Sequence, residues 1–168
     1  MAPKGFHIRE ATVHDVNALL ELITDLAIYE KEPDKVVNTP ELMRKNLFET
    51  PYAHALLAFH GEEGSSSEPI GLALYFFNYS TWTGRPGLYL EDLYVKPEHR
   101  KLGVGKALFG QLGKVAQEKS CARLDWAVLK WNQSSIDFYE KRLGATAMNE
   151  WVGMRLEEDG IERLKEFR

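Results

Sequence analysis

The segment Arg100-Lys-Leu-Gly103-Val-Gly105 constrains this chain more than any other, because it stands where a strand must hand over to a helix. Before it, Leu88-Tyr-Leu-Glu-Asp-Leu-Tyr-Val95 reads as a strand closed by Pro97. After it, Leu108, Leu112, Val115 and Ala116 recur at helical spacing between Lys106 and Gln117. Two glycines at such a junction let the backbone N–H groups of Lys101, Leu102, Gly103, Val104, Gly105 and Lys106 come close to an anion, and a helix N-terminus favours negative charge. Arg100 and Lys106 bracket the same place with positive charge. The hexapeptide is neither a Walker A loop, since no Gly-Lys-Ser/Thr follows, nor a Gly-x-Gly-x-x-Gly dinucleotide turn. Taken alone it is either a pyrophosphate cradle or an ordinary strand-to-helix turn, and the surrounding elements decide between them.

At 168 residues the chain reads as a single domain, 1–168, with length enough for a hydrophobic core that needs no staples. A formal net charge of −4 speaks against a general nucleic-acid binder and leans toward cationic partners. The lone Cys121 excludes an internal disulfide and a cysteine metal site, and the five histidines lack ligand spacing, so no metal is expected. No long apolar run or signal-peptide pattern occurs and Met1-Ala-Pro-Lys4 is a poor targeting start, so a cytoplasmic protein without membrane partners is expected.

Phe6 to Glu10 alternates as a first strand. Thr12 with Asp15 makes a capping box, and Val16, Leu19, Leu20, Ile23, Leu26 and Ala27 form the apolar stripe of a helix reaching Tyr29. Thr39-Pro40 opens a second helix through Phe48. Ala53 to His60 and Ile70 to Asn78 read as a hairpin across the polar connection 61–69. Beyond the glycine turn and its helix come a strand over Cys121–Leu129, a helix over Gln133–Lys141, two strands within 144–156 and a last turn over Ile161–Phe167. The order β-α-α-β-β-β-α-β-α-β predicts an α/β fold, a mixed sheet flanked by helices.

This order, with Arg100-x-x-Gly103-x-Gly105 after the fourth strand, resembles the GNAT superfamily of acyl-CoA-dependent N-acetyltransferases. Trp131-Asn-Gln-Ser-Ser-Ile-Asp-Phe-Tyr139, followed by Leu143-Gly144-Ala145, is similar to that family's Asn-x-x-x-x-x-Phe-Tyr-x-x-x-Gly segment, one residue longer before the glycine. Tyr29-Glu30, Tyr75 to Tyr79, Trp82, Tyr89-Leu-Glu-Asp92 and Ala127 to Asn132 resemble the family's branches acting on spermidine, spermine and thialysine. Ser80 stands where the polyamine branch carries an aspartate, so one anchor for a distal ammonium is missing and the choice of amine stays open.

The resemblance implies a sheet splayed at an acetyl-CoA site. The cofactor's pyrophosphate would lie on the N–H groups from Lys101 to Lys106, with charge from Arg100 or Lys106, and its pantetheine arm would pair with Leu93, Tyr94 and Val95. The N–H of Tyr94 would serve as oxyanion donor. Asn132 would cap a helix and hydrogen-bond the pantetheine; Ser135 and Tyr139, at i and i+4, would share a face toward the sulfur, with Tyr139 as general acid. Glu91 would take the amine's proton and Asp92 would attract the cation. Adjacent strand residues face opposite sides, so both line one pocket only if a bulge re-aims one of them. Tyr29, Glu30 and Trp82 would complete the groove for the amine.

The reading is direct acetyl transfer to a small primary amine, a diamine, a polyamine or a lysine-like amino acid, and the resemblance implies a homodimer. A peptide lysine acetyltransferase and a CoA-binding sensor without turnover are the alternatives.

Overall fold

The computed structural model describes residues 5–64 and 68–168; the start at 1–4 and part of the connection 61–69 lie outside them. The chain forms two compact units, residues 1–127 and 128–168. The first carries a five-stranded sheet in the order β1 (Phe6–Glu10), β2 (His54–His60), β3 (Pro69–Ser80), β4 (Arg85–Val95) and β5 (Leu124–Trp126). The first four strands run antiparallel to their neighbours, and β5 is parallel to β4. This is the mixed sheet with flanking helices that the element order predicts, including the β2–β3 hairpin.

α1 (Val16–Tyr29) buries Val16, Leu19, Leu22 and Leu26, the last two turns of the stripe being centred on Leu22 rather than Ile23. Asp15 reaches back to the Thr12 N–H at 2.7 Å, closing the capping box. Arg9 grips the same carboxylate at 2.7 and 2.9 Å and holds its pKa down to about 2. α2 (Pro40–Arg44) begins at the Thr39 cap as expected, but its hydrogen bonding widens to a π-turn over Lys45–Glu49. That widening leaves Leu47 and Phe48 only partly buried against the core.

The period of two along each strand distributes the core between the two faces of the sheet. Leu57 and Phe59 of β2, Leu72 and Leu74 of β3 and Tyr94 of β4 pack with α1 and Met43 of α2. α3 (Val104–Glu118) contacts β2, β3 and β4, burying Val104, Leu108, Phe109 and Leu112.

β5 is shorter than the expected Cys121–Leu129. Ser120 turns with φ +55°, and the ladder with β4 runs only from Leu88↔Leu124 to Leu90↔Trp126.

The second unit contains α4 (Gln133–Leu143), α5 (Glu158–Arg163) and a final 3-10 turn, Leu164–Phe167. Gly144, at φ +73°, ends α4 in the left-handed region that a side chain disfavours. The two strands expected in 144–156 do not form. Val152, Met154 and Leu156 alternate as strand residues do, but a ladder also needs a neighbouring backbone, and no described residue of this unit belongs to one.

Candidate active site

β4 leads into a 3-10 turn, Pro97–Leu102, and then through Gly103 into α3. Gly103 holds φ +80°, the left-handed conformation that glycine adopts at no steric cost. The first N–H groups of α3 have no acceptor within the helix, so they face outward with the positive end of its dipole. A Cβ built on Gly103 would meet nothing within 4 Å, so the approach to these groups is open. Lys101 and Lys106 are exposed beside them. The backbone, the open approach and the two lysines fit a pyrophosphate.

What seats this turn against the sheet is Gly71 of β3. A Cβ there would lie 3.2 Å from the Tyr94 carbonyl oxygen and 3.2 Å from Val104 Cγ1. An isolated glycine inside the apolar run Ile70–Leu74 signals such a close approach, and the sequence reading passed over it.

Arg100 departs from the expectation of a cradle charge. Its Nε donates to the Val95 carbonyl at 2.9 Å, and its guanidinium carbon lies 4.9 Å from the Tyr29 ring centroid and 5.8 Å from that of Tyr94. A delocalised, weakly hydrated cation prefers such ring faces, which is why it folds back here.

Beyond Leu90 the ladder between β4 and β5 stops while β4 runs on to Val95, so this edge of β4 has no strand partner among the described residues. Lys96 donates its N–H to Ile70 O at 2.9 Å, and antiparallel alternation then directs the N–H and C=O of Tyr94 toward Leu72. The groups facing away from β3, on the unpaired edge of β4, are those of Leu93 and Val95. The oxyanion donor expected at Tyr94 is therefore corrected: its N–H belongs to the β3 ladder.

Glu91 breaks the regular pleat. The register passes from Tyr75↔Leu90 directly to Leu74↔Asp92, so Glu91 is the extra residue of a β-bulge. Cross-strand partners share a face, which puts Asp92 on the side of Leu74 and α1, whereas an unbroken pleat would keep it on the side of Leu90. Glu91 is exposed and Asp92 half-buried. Burial, together with the charges of Glu91 and Glu30, pushes the Asp92 carboxyl up to about 6. Burial alone raises Glu30 above the usual carboxylate range. Glu30 is the C-cap of α1, so the bulge and a helix end bring the charges of Glu91 and Glu30 to bear on Asp92. A carboxylate with a pKa near neutrality can accept a proton and pass it on.

Trp82 is not part of this group. It stands 88% exposed at the β3–β4 turn. Arg85 lies six positions before the bulge residue Glu91, about 20 Å of strand. Ser80, 3% exposed, accepts the Thr83 N–H at 3.3 Å and so builds that turn.

In the second unit, Asn132 Oδ1 accepts the Ser135 N–H at 3.4 Å and caps α4 as expected. Ser135 and Tyr139 lie one turn apart on this helix, and the Tyr139 ring stands edge-on to Phe138 at 5.6 Å.

Known proteins are similar to this chain in sequence and in fold. The model of the acetyltransferase (GNAT) family matches residues 17–145. The chain is 42% identical to a thialysine N-epsilon-acetyltransferase of Bos taurus, over 94% of this chain and 95% of that one. It is 33% identical to the spermidine/spermine N(1)-acetyltransferase-like protein 1 of Homo sapiens, over 90% of this chain and 22% of that longer protein. An integron cassette protein from the mobile metagenome of V. cholerae superposes with a TM-score of 0.79 at 24% identity, covering 98% of this chain and 99% of that one. With its mixed, open sheet and its glycine turn at the head of α3, the chain belongs to the GNAT family of acetyltransferases.

Proposed function

We propose that this enzyme transfers the acetyl group of acetyl-CoA directly to a primary amine of a small cationic substrate, a lysine-like amino acid or a diamine. The observation that carries the reading is the trio Glu30, Glu91 and Asp92, set where the bulge breaks β4 near its unpaired edge. A small dication needs an anionic wall and a proton acceptor together, and the trio suits both needs. The relative at 42% identity is a thialysine enzyme, which favours the lysine-like amine. Ser80 is consumed in its own turn, which argues against an anchor for the far end of a polyamine there. The family match spans residues of both compact units, so we read 1–168 as one acetyltransferase domain.

Acetyl-CoA supplies the thioester carbonyl. The N–H groups from Lys101 to Lys106 would hold its pyrophosphate, with Lys101 and Lys106 adding charge, while Leu93 and Val95 would pair with the pantetheine like an added strand. The Leu93 or Val95 N–H would stabilise the oxyanion. Asn132 and Ser135 would orient the cofactor end of α4, and Tyr139 would donate a proton to the departing thiolate. Glu91 and Asp92 would take the amine's proton, through water where the reach is long, with burial raising the Asp92 carboxyl toward neutrality and Glu91 the more accessible. Tyr29 would close the groove beside Glu30. Trp82, far along the hairpin, suits a homodimer in which a partner covers it.

The test is thiol release from acetyl-CoA with thialysine, lysine, putrescine, spermidine and a lysine peptide. Turnover of a small amine, lost in Tyr139→Phe, carries the reading. Turnover of the peptide alone would replace it with a peptide acetyltransferase, and tight cofactor binding without turnover would replace it with a sensor.

A further inference from the structure

The first residue of the glycine turn does not face the open approach to α3. Arg100 ties three elements together: its own turn, the end of β4 through the Val95 carbonyl, and the end of α1 through the Tyr29 ring. Tyr29 is the last residue of α1, and its successor Glu30 is the cap whose charge reaches Asp92. The negative face of the Tyr29 ring favours a guanidinium set against it, so the contact joins Arg100 to the last residue of α1.

We infer that Arg100 is a positioning residue for the amine, its guanidinium holding Tyr29 and thereby Glu30 against the end of β4, and not a ligand of the pyrophosphate. The cradle then relies on backbone N–H groups with Lys101 and Lys106. This assignment deepens the amine-acetyltransferase reading and rests on it. It also explains why an arginine serves here: lysine, a strongly hydrated point charge, cannot stack on Tyr29 while donating in plane to Val95.

The test uses Arg100→Lys, Tyr29→Leu and Tyr29→Phe in the full chain. On the protein alone, amide hydrogen exchange at Glu30, Lys31 and Glu32, whose N–H groups close the end of α1, is measured against wild type. Exchange is expected to quicken by about fivefold or more in Arg100→Lys and Tyr29→Leu, the loss of one cation–ring contact, and to stay unchanged in Tyr29→Phe, which keeps the ring. In turnover, the amine KM rises by a similar factor in the first two variants, while the acetyl-CoA dissociation constant by calorimetry stays within about twofold. The Arg100→Lys/Tyr29→Leu pair together is no worse than either alone. Weakened acetyl-CoA binding in Arg100→Lys, with α1 exchange and amine KM unmoved, would overturn the inference and return Arg100 to the pyrophosphate. A wild-type protein that turns over no amine would sink the functional reading, and the exchange measurement would still decide whether Arg100 holds the end of α1.

Discussion

Replacing Asp92 with asparagine removes a charge that the fold disfavours, so the variant is expected to be more stable and less active. The Asp92 carboxyl stands at about 6 in the folded chain, against 3.8 for an unperturbed one. Below about pH 4 it is protonated whether the chain is folded or not, and folding incurs no penalty. As pH rises from about 4 to about 6 the unfolded chain releases its proton first, so stability falls; above about 6 both states are ionised and the whole penalty remains. Two units of pKa correspond to about 2–3 kcal/mol. Asp92→Asn, which mimics the protonated acid in shape, should recover that amount at pH 7.5, about 4–10 °C in Tm for a chain of this length. Calorimetric melts of both proteins from about pH 4 to about pH 8 give the test. The two curves should meet at the acid end and separate through the range between the two pKa values. A gap that is constant with pH, or an Asp92→Asn protein less stable at neutral pH, would refute the argument that burial and the neighbouring carboxylates strain this group. The same variant should lose about 10²–10⁴-fold in kcat/KM if Asp92 carries the proton.

Glu30→Gln removes one of the charges that raise Asp92, so the acid limb of the kcat/KM profile, expected near pH 6, should move to lower pH; initial rates across the profile test it. Gly71→Ala puts a methyl 3.2 Å from the Tyr94 carbonyl oxygen and from Val104, and should cost about 1–3 kcal/mol in denaturant unfolding while weakening acetyl-CoA binding through displacement of α3. Gly103→Ala has open space around its methyl but a left-handed backbone, so a loss of about 1–2 kcal/mol by the same unfolding assay is expected from strain alone. Tyr139→Phe should lower kcat by about 10²-fold or more and leave the acetyl-CoA dissociation constant near wild type by calorimetry.

The strand-to-helix junction at Arg100–Gly105 was legible because glycine, proline and apolar periodicity are local signals. The capping box of Thr12 and Asp15, the stripe of α1 and the Asn132 cap were legible for the same reason: each is settled by residues within one helical turn. The acidic pair Glu91-Asp92 was visible as a motif, but not which face each side chain takes. That depends on Tyr75↔Leu90 passing directly to Leu74↔Asp92, a register decided by another strand. The missing strands of 144–156 misled for the converse reason, since alternation supplies the side-chain pattern and says nothing about whether a backbone lies alongside.

By itself, then, the amino-acid order determined the family, the mixed sheet and the glycine turn into α3, whose signals are written in contiguous residues. Only the tertiary structure decided that Asp92 joins Glu30 on the α1 face, that the Tyr94 N–H is spent on β3, and that Arg100 turns from the cradle to Tyr29. Each of these depends on the approach of residues distant in sequence, and such approaches are set by cross-strand register and by the packing of α1 on the sheet.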